Sequence, residues 1–241
     1  MELPLVFERY REAVEGELKR TLEVYRLPLY QMIRYHMGWV DERGAATDGL
    51  VGKRLRPTLC LMACEAAGGD YHKALPAAAA VELIHNFSLI HDDIQDGSAE
   101  RRNRPAVWWV WGPSQGINAG DGLYALGTLA LLRQAEMGTP EEKIIKGARL
   151  LGEAALKLCE GQYLDLEYQD RVDITVDSYT KMVGGKTAAL MGCACELGAI
   201  VASDDPSVTA AFRFCGERLG LAFQIRDDIL DLWTEGRTGE P

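Results

Sequence analysis

The 241-residue sequence lacks the features that mark secreted, zinc-binding or membrane-spanning proteins. Its six cysteines include no C-x-x-C pair, and neither Cys60/Cys64 nor Cys193/Cys195 has a histidine nearby in the sequence. Zinc is therefore set aside, and we expect buried, reduced thiols in a cytoplasmic protein. No run of about 18 apolar residues occurs, which argues against a membrane span. The N-terminal segment also lacks the basic region and apolar run of a secretory signal.

Basic residues are the minority among the charged ones. The chain carries 36 acidic against 26 basic residues, a formal net charge of −10. This balance gives no support to a surface for nucleic acid or anionic membranes. Apolar residues make up 47% and charged residues 26%, as in a globular protein with a full core. No low-complexity linker or repeat divides the chain, so we interpret residues 1–241 as one domain.

Helical periodicity runs through almost the whole chain, and no convincing alternation of strand residues interrupts it. Candidate helices cover 5–26, 28–38, 53–67, 72–97, 114–137, 140–169, 175–184, 186–203 and 206–234. Breaks containing Gly or Pro separate them, such as Gly68-Gly69 and Asp204-Asp205-Pro206. The sequence therefore predicts an all-α, single-domain helical bundle.

Three of the predicted helices carry an apolar stripe that turns polar at one end. In the helix 72–97 the stripe passes through His85 and reaches Asp92. A later stripe reaches Gln162, and that of the last helix reaches Asp227. A stripe facing the core should stay apolar. We therefore expect a central apolar cavity that opens into a polar, ligand-binding mouth.

Two short segments, 92–96 and 227–231, share the pattern D-D-x-x-D. On a helix the first and fifth residues stack one turn apart, so each segment directs carboxylates at a small volume. Like charges at this spacing destabilise a helix by about 0.2–0.5 kcal/mol per pair. Because Mg²⁺ binds one or two carboxylates together with substrate phosphates, the two segments predict Mg²⁺ ions on either side of a diphosphate.

Three basic segments complement the acidic ones. Lys53 and Arg56 are three residues apart and are expected on one face of a helix. Arg101 and Arg102 follow the first acidic segment. The segment 184–187, GGKT, is interpreted as a helix start, where free backbone N–H groups favour anions. Together they predict two diphosphates, one held through metal and one held directly by Arg and Lys.

In their order along the chain, these segments resemble the trans-isoprenyl diphosphate synthases, also called polyprenyl synthetases. The matching segments are GKRLRP at 52–57, HNFSLIHDDIQDGSAERR at 85–102, GD at 120–121, GQYLD at 161–165, GGKTAAL at 184–190 and FQIRDDILD at 223–231. The resemblance implies the isoprenoid synthase fold, Mg²⁺ and a homodimer. It also implies head-to-tail, trans condensation of an allylic diphosphate with isopentenyl diphosphate, the departing diphosphate acting as base.

The same resemblance implies roles for individual residues. Isopentenyl diphosphate would be bound by Lys53, Arg56, His85 and Arg102, and the allylic diphosphate by Arg101, Lys186, Thr187 and Gln224, with Gln162 and Asp165 nearby. The metal ligands would be Asp92, Asp93, Asp96, Asp227, Asp228 and Asp231. The catalytic set would be Asp92, Asp96, Arg101, Lys186 and Asp227.

Product length is expected to depend on the depth of the apolar cavity. Phe87 precedes Asp92 by five residues, about 7.5 Å along the helix axis, where similar enzymes use an aromatic residue to stop chain growth. Its neighbour Ser88 is small, and the first acidic motif contains no insertion. These features predict a short-chain product, with C20 favoured over C15.

The chain departs from the family pattern in three places. Asn103 stands where the family usually has glycine, and Thr238-Gly239-Glu240 stands where it typically has T-G-K. The chain also ends at Pro241, so the domain is expected to lack the last helices of similar proteins.

Three alternatives remain open at this point. A class I terpene cyclase also uses a D-D-x-x-D motif, although its second metal motif differs from DDILD. A non-catalytic subunit of a heteromeric synthase would tend to lack the acidic motifs. A ferritin-like di-iron bundle would need a second E-x-x-H motif besides Glu82-x-x-His85, and the chain has only four histidines.

Overall fold

A computed structural model of the chain describes residues 5–47 and 52–235, and this part is almost entirely helical. The α-helices are α1 (Leu5–Leu22), α2 (Pro28–His36), α3 (Leu55–Ala66), α4 (Leu75–Gln95), α5 (Val107–Trp111), α6 (Pro113–Leu132), α7 (Glu141–Tyr168), α8 (Val176–Val183), α9 (Ala189–Ala202) and α10 (Pro206–Glu235). Short 3-10 turns, Tyr71–Ala74 and Arg133–Met137, precede α4 and follow α6. The predicted all-α fold is confirmed.

The first helix ends four residues earlier than its periodicity predicts. After Leu22 the chain turns and re-enters a helix at Pro28. The guanidinium of Arg34 donates hydrogen bonds of 2.8 Å to the carbonyl oxygens of Leu22 and Tyr25. This side chain satisfies carbonyl groups that a longer helix would have satisfied itself.

A hairpin that the sequence did not predict lies between α4 and α5. Its strands, β1 (Glu100–Arg101) and β2 (Arg104–Pro105), pair antiparallel. The two turn residues, Arg102 and Asn103, have φ angles of 53° and 59°. Asparagine tolerates this left-handed region better than most residues. The turn therefore accommodates Asn103 where the family usually has glycine, and strands of two residues are too short to show alternation.

The centre of the bundle is α4, which packs against α1, α3, α6 and α9. Its segment 77–81 consists of alanines and a valine that are all buried. Helix α9 packs against both α3 and α10. A Cβ added to Gly198 of α9 would lie 1.9 Å from the carbonyl oxygen of Cys60 on α3. The two helices therefore touch backbone to backbone, which only glycine permits.

The predicted helix start at residue 184 is wrong. Helix α8 continues without a break into α9 through a π-helical segment, Gly184–Ala188. The backbone N–H groups of this segment are therefore inside a continuous helix and do not form an anion-binding terminus. The whole stretch Val176–Ala202 is long and apolar enough to cross a membrane, but 78% of its apolar window is buried in the fold. Because it is mostly buried, this stretch is a helix of the protein core.

The cysteines only partly follow the expectation of burial. All six are free thiols, and the four on α3 and α9 are buried. Cys159 and Cys215 are exposed, because they lie on the solvent-facing sides of α7 and α10.

Candidate active site

A cavity of about 590 Å³ opens among α3, α4, α7, the π-helical segment and α10. It is lined by Gly52, Lys53, Arg54, Leu55, Arg56, Glu82, His85, Ser88, Leu89, Asp92, Arg102, Leu158, Lys186, Thr187, Phe223 and Gln224. The lining combines cationic, acidic and apolar side chains from segments that are far apart in the sequence. Such a concave site with convergent polar groups is suited to a ligand that has a charged head and an apolar body.

One side of the cavity is strongly cationic. Arg56 Nη1 lies 3.1 Å from His85 Nε2. Because arginine only donates hydrogen bonds, the imidazole accepts at this atom and is neutral. Burial lowers the pKa of His85 well below its ordinary value, and the positive charges of Arg56 and Arg102 lower it further. The neutral histidine therefore leaves Arg56 as the charged partner for an anion.

Arg102 and Lys53 border the same side. The Arg102 guanidinium donates to the carbonyl oxygen of His36 at 3.2 Å and to Asn86 Oδ1 at 3.4 Å. Lys53 is exposed and precedes α3, which begins only at Leu55. The prediction that Lys53 and Arg56 share a helical face is therefore wrong, since Lys53 is not helical. Both residues nevertheless border one cavity.

Asp92 is the residue of the first acidic motif that lines the cavity. Burial raises the pKa of its carboxyl group to about 6, while Lys186 opposes the shift. Among the described residues its side chain makes no hydrogen bond or ion pair. Asp96, by contrast, caps the end of α4 and is exposed outside the cavity lining. Within the described residues, Asp92 is therefore a half-buried carboxylate without a direct counter-ion.

Asp93 points away from the cavity lining and holds Arg101. Arg101 donates from Nε at 2.9 Å, and also from Nη2, to the same oxygen, Oδ1. Within the described part of the chain, the other oxygen of this buried carboxylate, Oδ2, has no hydrogen-bond partner. Arg101 is likewise not among the residues that line the cavity. The roles predicted for these two residues would require their ion pair to open or to be shared.

The second acidic motif is connected to the cavity through Gln224. Gln224 Nε2 donates to Asp228 at 2.8 Å, and Thr187 donates to Gln224 Oε1 at 2.9 Å. The hydroxyl of Tyr179 also donates to Asp228. Burial and this carboxylate raise the pKa of Tyr179, so the phenol stays a donor. Asp227 is partly buried, one turn beyond the cavity residue Phe223; the side chain of Asp231 lies outside the described part.

The π-helical segment brings Lys186 to the cavity by a close crossing with α7. A Cβ on Gly161 would lie 2.0 Å from the backbone nitrogen of Lys186, so no larger residue fits there. Lys186 Nζ forms an ion pair of 2.5 Å with Asp165. Gln162, the residue after Gly161 on α7, donates to Gln95 Oε1 at 3.0 Å. The predicted neighbours Gln162 and Asp165 thus lie beside the predicted anion-binding lysine.

The donor atoms suit a hard divalent cation. No group of three Asp, Glu, His or Cys side chains within residues 5–47 and 52–235 forms a ready-made metal centre. The half-buried Asp92 carboxylate, whose pKa is raised by burial, offers oxygen atoms to which no described residue donates a hydrogen bond. Mg²⁺ fits such a site, because it keeps waters and takes phosphate oxygens as further ligands. Glu82 and His85 instead bind Arg54 and Arg56, which argues against the di-iron alternative.

Phe87 is buried, 7% exposed, on the side of α4 that faces α6. Its ring makes edge-to-face contacts with His91 and Tyr124, with ring centroids 5.5 and 5.3 Å apart. Phe87 does not line the cavity itself, whereas its neighbours Ser88 and Leu89 do. That Phe87 and Ser88 limit the length of the product therefore stays a prediction.

Three residues at or beside the site were not predicted from the sequence as part of a diphosphate-binding site. Arg54 and Glu82 form a buried ion pair of 2.7 Å that borders it, and Tyr179 holds Asp228. Arg54 stands within the basic segment 52–57, but nothing in the spacing distinguishes a buried cation from an exposed one. Tyr179 has no sequence signal, since its partner is 49 residues away.

The architecture is that of the all-α isoprenoid synthase fold. Residues 41–240 match the model of the polyprenyl synthetase family, and the chain belongs to that family.

Relatives of known sequence and structure agree with this assignment. The chain is 43% identical over 238 residues to a geranylgeranyl diphosphate synthase of Mycobacterium tuberculosis, covering 98% of this chain and 67% of the relative. It is 42% identical over 211 residues to a (2E,6E)-farnesyl diphosphate synthase of Mycobacterium bovis, covering 87% and 57%. The crystal structure of a polyprenyl synthetase from Streptomyces coelicolor A3(2) superposes with a TM-score of 0.88 at 37% identity, covering 100% of this chain and 70% of the other. The chain thus spans between about half and two thirds of the length of the two sequence relatives.

Proposed function

We propose that the protein is a Mg²⁺-dependent trans-prenyltransferase that condenses an allylic diphosphate with isopentenyl diphosphate. Membership of the polyprenyl synthetase family supports the class of reaction. The names of the relatives, geranylgeranyl and farnesyl diphosphate synthases, support a short-chain product. We keep C20 as the proposed main product over C15.

The observation that carries the proposal is that two groups of charged side chains line one cavity. In one group Lys53, Arg56 and Arg102 supply cations, with Arg56 and Arg102 both acting on His85. In the other, Asp92 supplies a carboxylate for a metal and Lys186 a cation that acts on it. Two diphosphates need two separate anion sites, and a single-substrate enzyme would need only one. Leu89, Leu158 and Phe223 give the same cavity an apolar wall.

The side chains then have distinct tasks in the reaction. Lys186 and Thr187 bind the allylic diphosphate and stabilise the charge that grows on it as its C–O bond to C1 breaks. Mg²⁺, bound at Asp92, would supply further stabilisation of that leaving group. Arg56 and Arg102 hold isopentenyl diphosphate so that its alkene attacks C1. The apolar wall excludes water from the allylic cation, and the proton lost from the new product leaves with the diphosphate.

The proposal is tested with the purified chain alone. It is incubated with Mg²⁺, radiolabelled isopentenyl diphosphate and dimethylallyl, geranyl or farnesyl diphosphate in turn, and the products are separated by chain length. Labelled C20 product supports the proposal. A hydrocarbon formed from the allylic diphosphate without isopentenyl diphosphate would indicate a terpene cyclase. No turnover until another polypeptide is added would indicate a subunit of a heteromeric synthase.

Two further properties belong to the same proposal. We propose a homodimer, which light scattering of the purified chain tests directly. We also propose that the protein works in the cytoplasm, which cell fractionation tests.

A further inference from the structure

Arg54 lies at the centre of a buried network beside the cationic end of the cavity. Its side chain is only 2% exposed. Its Nε donates to Glu15 of α1 at 2.6 Å, and its Nη1 donates to Glu82 of α4 at 2.7 Å. A guanidinium held by two carboxylates has a fixed orientation, because each partner occupies a different edge of its planar fork.

The network continues from Glu82 to a predicted substrate ligand. Asn86 Nδ2 donates to Glu82 Oε1 at 3.0 Å and to the Glu82 carbonyl oxygen at 2.8 Å. The amide oxygen of Asn86 in turn accepts from Arg102 Nη2 at 3.4 Å. Asn86 and Glu82 are both buried. The direction of the Arg102 guanidinium therefore depends on a chain of contacts that begins at Arg54.

The backbone of Arg54 adds a second link. Its φ angle of 52° lies in the left-handed region, which side chains other than glycine occupy only when their surroundings hold them there. This residue separates the exposed Lys53 from the first turn of α3, which carries Arg56. Since the two ion pairs anchor Arg54, they also fix how the chain enters α3. The same entry determines where Lys53 and Arg56 meet the cavity.

We propose that Arg54, clamped by Glu15 and Glu82, is a positioning residue for the isopentenyl diphosphate half of the site, an inference that rests on the proposed function. It acts on Lys53 and Arg56 through the backbone and on Arg102 through Glu82 and Asn86. In the described part of the chain, no bond of this network reaches Asp92, Lys186 or Gln224. Its loss should therefore impair one substrate and spare the other.

Glu15→Gln is the most selective variant for the test. Glu15 does not line the cavity, so its change acts on the cavity only through Arg54. Glutamine retains an oxygen that can accept from Trp39 Nε1, which now donates to Glu15 Oε2 at 2.8 Å. The matched control is Glu17→Gln. Glu17 lies on the same helix, is buried, and forms an ion pair of 2.9 Å with Arg133. Neither residue lines the cavity.

Steady-state kinetics of the full chain then measure both substrates. For Glu15→Gln we expect the KM for isopentenyl diphosphate to rise about 10- to 100-fold, the range that follows from small displacements of binding groups. The KM for the allylic diphosphate and kcat should stay within about twofold of the parent. Glu17→Gln should change neither KM. The proposal would be overturned if Glu15→Gln left the KM for isopentenyl diphosphate unchanged or raised both KM values equally. It would also be overturned if Glu17→Gln raised the KM for isopentenyl diphosphate as much as Glu15→Gln.

Titration calorimetry with isopentenyl diphosphate alone separates this inference from the proposed function. A parent protein that neither binds isopentenyl diphosphate nor turns over overturns the proposed function, and the positioning role with it. A parent that binds and turns over, with Glu15→Gln binding isopentenyl diphosphate equally well, overturns the positioning role only. Weaker binding by Glu15→Gln and unchanged binding by Glu17→Gln support both.

Discussion

Arg101 directs two hydrogen bonds at one oxygen of Asp93, and this pairing separates Asp93 from the adjacent Asp92. Among the residues that the structure describes, Asp92 borders the cavity without a direct partner, whereas Asp93 is buried against an arginine. Two neighbouring acids of one motif therefore have different surroundings. The difference predicts that they respond differently to Mg²⁺.

Asp92→Asn should remove most activity, and Asp93→Asn should act through Arg101. Loss of a metal-binding carboxylate is expected to lower kcat by about 10²–10³ and to raise the Mg²⁺ concentration needed for half-maximal rate. Asp93→Asn should raise the KM for the allylic diphosphate, because Arg101 loses its anchor, with an unchanged Mg²⁺ requirement. Mg²⁺ titrations of both variants measure this. Equal shifts of the Mg²⁺ midpoint in both would show that Asp93 is a metal ligand instead.

The buried histidine His36 should make the protein less stable in weak acid. Burial lowers the pKa of His36 well below its ordinary value of 6.5, and Arg102 and Arg101 lower it further. Between the lowered pKa and pH 6.5, His36 therefore binds a proton in the unfolded chain but not in the folded protein. This contribution to stability is present above pH 6.5 and is lost as the pH falls toward the folded pKa, by about 1.4 kcal/mol per pH unit.

Urea unfolding at about pH 8 and about pH 5.5 measures the effect of His36. The parent should lose more stability between the two conditions than His36→Asn, which cannot take up the proton. His85 contributes in the same direction, since its pKa is also lowered by burial. The loss of stability between the two pH values in the parent is therefore compared with the loss in His36→Asn, so that the contribution of His85 cancels. Parallel losses in the two proteins would contradict the assignment of the proton to His36.

The sequence predicted which residues meet at the cavity better than it predicted how they are held. His85, Ser88 and Asp92 share a stripe of α4, and the structure places all three at one cavity. Periodicity gives the face of a helix, and the polar end of a stripe marks where that face meets a ligand. Because this pattern lies within one helix, it predicts the correct face even when the predicted helix ends are wrong by a few residues.

The remaining features depend on contacts between distant segments. The clamp on Arg54 joins residues 39 and 28 positions away. The π-helical segment at Gly184–Ala188 looks in the sequence like a helix break, because two glycines precede Lys186. Its continuity follows from the crossing at Gly161, which holds the backbone of α7 against it. No pattern within one segment contains this packing.

Phe87→Ala should lengthen the main product by at least one isoprene unit. Removing the ring opens space beside His91 and Tyr124, one residue along α4 from the cavity wall at Ser88. The cavity left in the core is expected to cost about 3–5 kcal/mol of stability, so products are compared per folded enzyme. Chain-length analysis by thin-layer chromatography measures the outcome. Ser88→Phe is the companion variant and should shorten the product; unchanged lengths in both would refute the chain-length assignment.

Gly161→Ala should damage the site by pushing α7 away from the segment that carries Lys186. The added methyl group would lie 2.0 Å from the Lys186 nitrogen, far inside van der Waals contact. We expect a loss of about 3 kcal/mol in the free energy of unfolding and a higher KM for the allylic diphosphate. Gly152→Ala is the control on the same helix, because its methyl group would meet nothing within 4 Å. There the higher helix propensity of alanine should stabilise the protein by about 0.5–1 kcal/mol. Chemical unfolding and allylic-substrate kinetics of both variants test the argument, and a Gly161→Ala protein as stable and as active as Gly152→Ala would show that the crossing is not needed to place Lys186.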